Sequence, residues 1–324
     1  MKTLTKIALI IAVSLIVTGI AVFTAAMFTL DFDFSKLDNS EYITNTHEFN
    51  DSISYINVDV DTTHVKVLPS EDDTFKVVCK ENKDKPHKVS VENNTLMIDS
   101  PDKKWFNFLT IFNFNKSEII LYIPERFATA YTLQSEDYTG ALYTSVYQID
   151  AETDSGDIYI EDIKFIKSLD VETKTGDINV SNCHFDILSA ESTTGSVTLS
   201  KTTCVELLEA KATTGSILLK SCYSKEIKSK ASTGDITFRE VNALKTITAE
   251  TTTGDINFRD CDAQSLYAKA TTGDITGTVL TAKTFKVESN TGKVSFPYTT
   301  YATNIGFFEA KTTTGDINLS YSVK

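Results

Sequence analysis

Hydrophobic and polar residues follow three different rhythms along this chain. From Ile7 to Leu30 there are twenty-four residues without a charge, which predicts a helix long enough to cross a hydrocarbon layer of about 30 Å. From Ile53 to Ile123 the pattern alternates with period two, as in Ile56-Asn57-Val58-Asp59-Val60, Val65-Lys66-Val67, Lys76-Val77-Val78 and Ile119-Ile120-Leu121-Tyr122-Ile123-Pro124. Asn, Asp and Pro separate these runs, so they read as strands joined by turns. Beyond Gly156 the alternation itself recurs around a Thr-Gly-Asp type motif at Gly156, Gly176, Gly195, Gly215, Gly234, Gly254, Gly273, Gly292 and Gly315, with spacings of 20, 19, 20, 19, 20, 19, 19 and 23. A fixed period of that length with strand-like flanks predicts a repeat architecture.

Aligning the repeats on the glycine gives the inward columns. Two residues after it stand Ile158, Ile178, Val197, Ile217, Ile236, Ile256, Ile275, Val294 and Ile317; four after it stand Ile160, Val180, Leu199, Leu219, Phe238, Phe258 and Phe296, with Gly277 interrupting. Seven before it stand Leu169, Leu188, Leu208, Ile227, Ile247, Leu266, Phe285 and Phe308, and five before it mostly Val or Ala. Each repeat therefore supplies two strands with one apolar face, which only stacking against the next turn can bury. The predicted fold is all-β: a parallel β-solenoid (β-helix) in a single stack of about 19–20-residue turns, with an N-terminal β-cap and one N-terminal transmembrane helix. Nine turns spaced ~4.8 Å apart make a rod of roughly 43 Å.

The turn follows from residue chemistry. Glycine takes positive φ without steric cost, and the preceding Thr, or Ser155 before Gly156, can bond to nearby backbone. Cys183, Cys222 and Cys261 fall in one column seven residues after the glycine, shared with Ile163, Thr202, Val241 and Leu280. They are expected to be buried structural thiols, since column neighbours two turns apart are too distant for a disulfide. Cys204 and Cys79 fall outside this column. Four residues before the glycine the order Glu152, Glu172, Glu191, Lys211, Lys230, Glu250, Lys269, Glu288, Lys311 leads one to expect opposite charges facing each other on many adjacent turns.

The chain divides into a cytoplasmic tip (1–6), an anchor (7–30), a polar stalk (31–44), the cap with the first turns (45–135) and the repeats (136–324). The stretch Lys103 to Phe114 breaks the alternation and holds Trp105, Phe106, Phe108, Phe112 and Phe114. It reads either as a hairpin plugging the first turn or as the candidate partner-binding site, since aromatics favour binding hot spots and lipid interfaces. At the other end, the exposed last turn is expected to be occluded by Tyr301 to Phe308 or used for end-to-end association with another copy.

Lys2 and Lys6 before the apolar run and Asp31 and Asp33 after it place the N-terminus in the cytoplasm and the remainder outside, anchored in the cell membrane through residues 7–30. The alternative is a cleaved signal with Thr24-Ala25-Ala26 at its end, which also exports the rest. A net charge of −13 opposes nucleic acid as a partner. Five cysteines without close pairing do not form a disulfide framework.

Candidate chemistry is sparse. The Asp after the glycine forms a column in which Asp235, Asp255 and Asp274 are the candidate Ca²⁺ ligands, against the simpler role of bonding turn amides. Asp235, Arg239, Asp255 and Arg259 resemble the carboxylate and basic groups of sugar-cleaving β-helices, but they are ordinary members of the repeat, and functional groups usually break local pattern. His47, His64, His87 and His184 are scattered singly. No enzyme and no cofactor are expected on this basis.

The exported anchor, the Ile-x-Leu-x-Ile-Pro strand ending at Pro124 and the Thr/Ser-Gly-Asp-Ile repeats together resemble the bacterial "putative adhesin" family of β-solenoid domains across residues 50–324. The resemblance implies an envelope protein that binds a protein or glycan partner as an adhesin or scaffold, with no catalytic residues to carry over. Similar domains in cell-envelope stress proteins supply the alternative, a signalling partner or regulator.

Overall fold

The structure is a computed structural model that describes residues 3–29, 31–32, 41–50, 52–72, 74–101, 117–124, 148–297 and 305–322. The apolar run forms helix α1 (Thr3–Thr29), with a window at Ile11–Thr29 whose mean hydropathy of 2.3 suits a membrane span. Among the described residues twenty-five strands follow, assembled into one sheet of thirteen and one of twelve. Strands β8 (Gln148–Ser155), β10 (Lys164–Thr175), β12 (His184–Thr194), β14 (Thr203–Thr214), β16 (Tyr223–Thr233), β18 (Asn242–Thr253) and β20 (Ser265–Thr272) stack in parallel as the long sheet strands. Their short partners β9 (Ile158–Glu161), β11 (Ile178–Ser181), β13 (Val197–Ser200), β15 (Ile217–Lys220), β17 (Ile236–Arg239), β19 (Ile256–Cys261) and β21 (Ile275–Val279) build the second sheet.

The register obeys the sequence columns. Leu169, Leu188, Leu208, Ile227, Ile247 and Leu266 pair one above another, as do Val180, Leu199, Leu219, Phe238 and Phe258. All are buried. The Phe238 and Phe258 rings stack at 4.9 Å. Gly277 interrupts its apolar column because a Cβ there would lie 2.9 Å from Phe258 Cβ.

A further inward column escaped the alignment. Phe185, Cys204, Ser224, Ala243 and Ala263 are buried just after the second corner of each turn. From each of them to the next buried Leu or Ile the chain advances three, four, three, four and three residues, at Leu188, Leu208, Ile227, Ile247 and Leu266. Register shifts occur at this place in successive strand pairs. The alternation of 19 and 20 residues is therefore taken up in a β-bulge, which lets both flanking residues face inward. This column also accounts for Cys204.

Both ends of the stack depart from sequential order. At the C-terminus, β24 (Gly306–Thr314) lies between β20 and β22 (Lys283–Thr291), and β25 (Ile317–Tyr321) lies between β21 and β23 (Val294–Ser295). The Gly315 turn is thus inserted before the Gly292 turn. Phe307 and Phe308 belong to this inner turn and do not occlude the end as expected; Tyr301 to Asn304 are outside the described residues. On the inserted turn Phe308, Ala310, Ile317 and Leu319 are buried, whereas on the outer turn Val294 is 40% and Phe296 46% exposed.

The N-terminal end repeats the manoeuvre. Strands β2 (Tyr55–Val60) and β3 (Thr63–Ser70) form a turn against β8 and β9, while the later β6 (Thr95–Asp99) and β7 (Ser117–Pro124) pack on its outer side. Beyond them the direction reverses, with β4 (Phe75–Asn82) antiparallel to β7, β1 (Tyr42–Phe49) antiparallel to β4, and β5 (Lys88–Glu92) antiparallel to β6. The predicted cap therefore contributes two full turns as well as a cover.

The C-terminal exchange also corrects the expected charge pairing. Lys269 meets Lys311 instead of Glu288, while Glu191 faces Lys211, Lys230 faces Glu250, Glu250 faces Lys269 and Glu288 faces Lys311 as expected. Glu152, Glu172 and Glu191 lie on consecutive turns. Burial, then the neighbouring Glu152 and Glu191, raise the Glu172 carboxyl above its ordinary value.

Candidate functional site

The glycine edge is the most ordered polar feature of the rod. At Gly176, Gly195, Gly215, Gly234, Gly254, Gly273 and Gly315 φ lies between 136° and 154°. An added Cβ at any of the seven would come within 2.2 Å of a carbonyl oxygen on the adjacent turn. The glycine is thus required by close approach between turns as well as by its conformation. Three residues earlier a buried hydroxyl donates to the neighbouring turn's glycine carbonyl: Thr173 to Gly156 at 3.0 Å, Ser192 to Gly176 at 2.9 Å, Thr251 to Gly234 at 3.1 Å and Thr312 to Gly273 at 2.9 Å. Sequence reasoning assigned such bonding to the residue directly before the glycine. The column Thr153, Thr173, Ser192, Ala212, Ala231, Thr251, Ala270, Ser289, Thr312 carried the signal.

The aspartates bond across turns. Asp177 N donates to Asp157 Oδ1 at 2.9 Å, Asp255 N to Asp235 Oδ1 at 2.8 Å, Asp274 N to Asp255 Oδ1 at 2.8 Å and Asp316 N to Asp274 Oδ1 at 2.7 Å. The Ca²⁺ candidates Asp235, Asp255 and Asp274 therefore each commit one oxygen to a backbone amide. Lys293 N donates to Asp316 Oδ1 at 2.7 Å on the outermost turn; Lys293, like Ser196 and Ser216, interrupts the Asp column. His64 stands at the opposite end of the ladder, its Nδ1 accepting from Asp157 N at 3.0 Å.

Among the described residues, the group whose metal-ligating atoms converge is a different one: Cys79, Glu81 and His87, with those atoms within 4.8 Å of one another. Its hydrogen bonds are already made. Glu81 Oε2 accepts from the His87 amide and pairs with His87 Nδ1, both at 2.6 Å, while Asn45 Nδ2 donates to Glu81 Oε1 at 2.6 Å. His87 Nε2 meets Thr63 Oγ1 at 3.1 Å. Burial, reinforced by Glu81, pushes the Cys79 thiol up to about 12, so it is protonated at neutral pH. The arrangement suits a saturated polar plug at the N-terminal end of the glycine edge.

The opposite edge turns at αL residues with side chains, Asp162, Asn182, Lys201, Ser221, Glu240 and Asp260, at φ of 48–59°. The next residue in the turn is the thiol column. Cys183 Sγ donates to Ser181 O at 3.0 Å, Cys222 to Lys220 O at 3.4 Å and Cys261 to Arg259 O at 3.3 Å, and Thr202 Oγ1 makes the same bond to Ser200 O at 3.0 Å. All five cysteines are buried and free. Desolvation pushes Cys183 up to about 12 and Cys222 and Cys261 to about 11, as expected of structural thiols.

Toward the C-terminal end this edge opens into a cleft of about 610 Å³ lined by Ala243, Leu244, Asp262, Thr281, Lys283 and Gly306, among others. The cleft lies where the inward column shrinks to alanine and the inserted β24 begins. Lys283 Nζ reaches Asp262 Oδ1 and Thr281 Oγ1, each at 2.5 Å. A buried ammonium paired to a carboxylate can orient a small polar group, but its charge is already balanced.

The remaining sequence candidates do not converge. Asp235 and Asp255 lie on the glycine edge, whereas Arg239 and Arg259 pair at the other end of β17 and β19, four residues and about 13 Å along the strand. His47 lies in β1 opposite Val77. His184 has its pKa lowered, chiefly by burial. Trp105, Phe106, Phe108, Phe112 and Phe114 are outside the described residues, as are 33–40 of the stalk and 125–147. The strands on either side of the aromatic stretch, β6 and β7, belong to the turn outermost at the N-terminal end.

Two sheets of parallel turns, one edge closed by glycine and the other by αL corners, define a two-sheet β-solenoid repeat protein. The chain belongs to the Toastrack DUF4097 family, whose model matches residues 53–222 and again 220–323. Among solved structures it is similar to a "putative adhesin" from Bacteroides fragilis, 14% identical over 87% of this chain and 97% of that one, TM-score 0.48. A "putative adhesin" from Parabacteroides distasonis is 11% identical over 88% and 98%, TM-score 0.48. A "putative cell adhesion protein" from Clostridium sporogenes is 12% identical over 88% and 100%, TM-score 0.32. No curated protein matches the chain.

Proposed function

We propose that this chain is a membrane-anchored, extracytoplasmic scaffold or adhesin-like binding protein of the cell envelope, and that it is not an enzyme. The observation that carries the reading is the use of polar groups along the rod. Ladder carboxylates accept backbone amides, buried hydroxyls hold glycine carbonyls, and the Glu81–His87 pair is saturated. Such an arrangement rewards rigidity and repetition, which suit an extended binding surface, and leaves little poised for proton transfer. Helix α1, read with the flanking charges Lys2, Lys6, Asp31 and Asp33, supports an uncleaved anchor with the solenoid outside.

The test uses the full chain in sealed cells and in detergent. External protease should digest the solenoid in intact cells, while purified protein should be retained by envelope polysaccharide or by a membrane protein without releasing reducing ends. Protection of the solenoid overturns the orientation. Release of reducing ends overturns the non-catalytic reading. Specific capture of a membrane kinase or transporter would favour the signalling alternative.

A further inference from the structure

We propose that the outer face of the thirteen-stranded sheet is a docking surface for an acidic polysaccharide, a linear glycan with a carboxylate on each sugar, held by a file of three cations. Lys220, Arg239 and Arg259 stand in register on β15, β17 and β19. Each directly follows a buried residue, Leu219, Phe238 or Phe258, so all three face outward, and all three are exposed. Strands ~4.8 Å apart make this a file of three positive charges about 10 Å long. Like charges facing each other across a sheet cost stability unless something neutralises them. Among the described residues nothing does so: none of the three side chains takes part in a hydrogen bond or an ion pair. The neighbouring acids are engaged along the corner, where Glu240 Oε2 accepts from Ser221 Oγ at 2.8 Å and Asp260 Oδ1 from Ser322 Oγ at 2.6 Å. On the twelve-stranded sheet, by contrast, Lys174, Lys211 and Lys225 each pair with a carboxylate.

The partner that fits this face is extended, anionic and hydroxylated. Toward the N-terminal end the file continues into Ser200 and Ser181. Beside it, two residues earlier on the same face, runs an uncharged row of Thr198, Leu218, Thr237 and Asn257. Arginine forks match carboxylates, while hydroxyl and amide groups match sugar hydroxyls. A polymer lying along the rod meets a cation at each of three successive turns, and linked contacts that are weak singly become strong together. The net charge of −13 does not prevent this. Asp235 and Asp255 stand about 13 Å from the file along the strands, beyond the Debye length of about 8 Å at physiological ionic strength. The field directly over the file is therefore positive.

This inference rests on the non-catalytic envelope-binding role proposed above and supplies the chemistry of the partner. Carboxylates recurring along a sugar chain are matched by the file and the neutral row together, whereas a fluid anionic bilayer would use the cations and leave the row unused.

The experiment is isothermal titration of the full-length protein, in uncharged detergent, with polygalacturonate. Wild type should bind polygalacturonate but not uncharged dextran, and binding should fade as salt rises from about 0.05 M to about 0.5 M. Arg239→Gln combined with Arg259→Gln should weaken binding roughly tenfold. Lys228→Gln combined with Lys230→Gln, an equal change of net charge on the other sheet, should leave it unchanged. Without polymer the arginine double variant should unfold at or above the wild-type midpoint, because repulsion within the file is relieved. No binding of polygalacturonate, equal binding of dextran, equal losses from the two double variants, tighter binding to phosphatidylglycerol vesicles than to the polymer, or a clearly lowered midpoint overturns the proposal. A failure to bind polygalacturonate leaves the envelope-capture test standing, whereas release of reducing ends from it overturns the non-catalytic role and leaves the cation file in place, so the two failures are told apart.

Discussion

The two long edges of the rod both take the chain through positive φ, yet they do so with different residues, and the reason is distance as well as conformation: φ is 136–154° at the glycines and 48–59° at the αL corners. On the glycine edge each turn nearly touches the next, so that an added Cβ at Gly215 would sit 2.0 Å from Gly195 O. On the opposite edge Lys201, Ser221 and Glu240 take φ of 48–54°, Lys201 and Glu240 exposed and Ser221 half-buried. Positive φ alone therefore does not demand glycine: αL admits side chains, whereas the wider φ of the glycine edge and the neighbouring backbone that fills the side-chain volume together demand it. One edge specifies the spacing of the turns and the other tolerates whatever can reach αL.

The substitution that should break this contrast most forcefully is Gly215→Ala. Its methyl cannot be relieved by rotating a side chain, because the obstacle is backbone. A loss of more than about 4 kcal/mol is expected, read as a large drop in the midpoint of urea or thermal unfolding. Because each turn contacts only its neighbours, unfolding should also lose its single transition as the stack separates into two halves. A variant within about 1 kcal/mol of wild type would show that the turns are not spaced by this contact.

A smaller effect is expected from Thr173→Ala on the same edge. The hydroxyl is fully buried and donates to Gly156 O at 3.0 Å, so its removal should cost about 1–2 kcal/mol by chemical denaturation. The cost is bounded because Ala212, Ala231 and Ala270 occupy the same column and their turns form normally. If Thr173→Ala were neutral, the glycine edge would be held by steric fit alone.

These residues also mark how far the sequence could be read. The stack, its glycine edge and most inward columns are legible because a repeat presents each position many times, and a column of Ile or Leu has one physical meaning. Features that occur once are not protected in this way. The exchange of the last two turns is foreshadowed by the spacing of 23 residues from Gly292 to Gly315 and by Lys293 in the Asp column, but either irregularity alone reads as ordinary variation. The Cys79, Glu81 and His87 cluster unites two residues of β4 with one beyond it, and no periodicity announces it. Phe185, Cys204, Ser224, Ala243 and Ala263 all stand nine residues after their glycine, but the column mixes aromatic, thiol, hydroxyl and methyl side chains, so its residue types do not announce one buried face.

On the corner edge the comparison predicts tolerance. Lys201→Gly should change stability by no more than about 1 kcal/mol, and in the favourable direction, since relief of the αL strain slightly outweighs the added entropy of the unfolded chain. The backbone bond from Lys201 N to Lys220 O at 2.8 Å is unaffected. Paired with Gly215→Ala, this exchange contrasts the two edges: glycine is gained without harm on one and lost with severe harm on the other.

The smallest effect should come from Cys222→Thr, which tests whether the corner is specified by a bond or by sulfur. Cys222 Sγ donates to Lys220 O at 3.4 Å, and in the turn before it Thr202 Oγ1 donates to Ser200 O at 3.0 Å from the equivalent position. A hydroxyl therefore already does the work of the thiol in this column, with similar volume and the same corner. The variant should unfold within about 1 kcal/mol of wild type, whereas Cys222→Ala removes the donor and should be the less stable of the two. Thiol labelling supplies the second reading: with Cys222 pushed up to about 11 by burial, native protein should resist alkylation at neutral pH and react only when unfolded. Rapid native labelling would mean that the corner opens freely. A cost from Cys222→Thr as large as that of Gly215→Ala would mean that the corner is packed as tightly as the glycine edge, and the difference between the two edges would then lie in something other than the distance between turns.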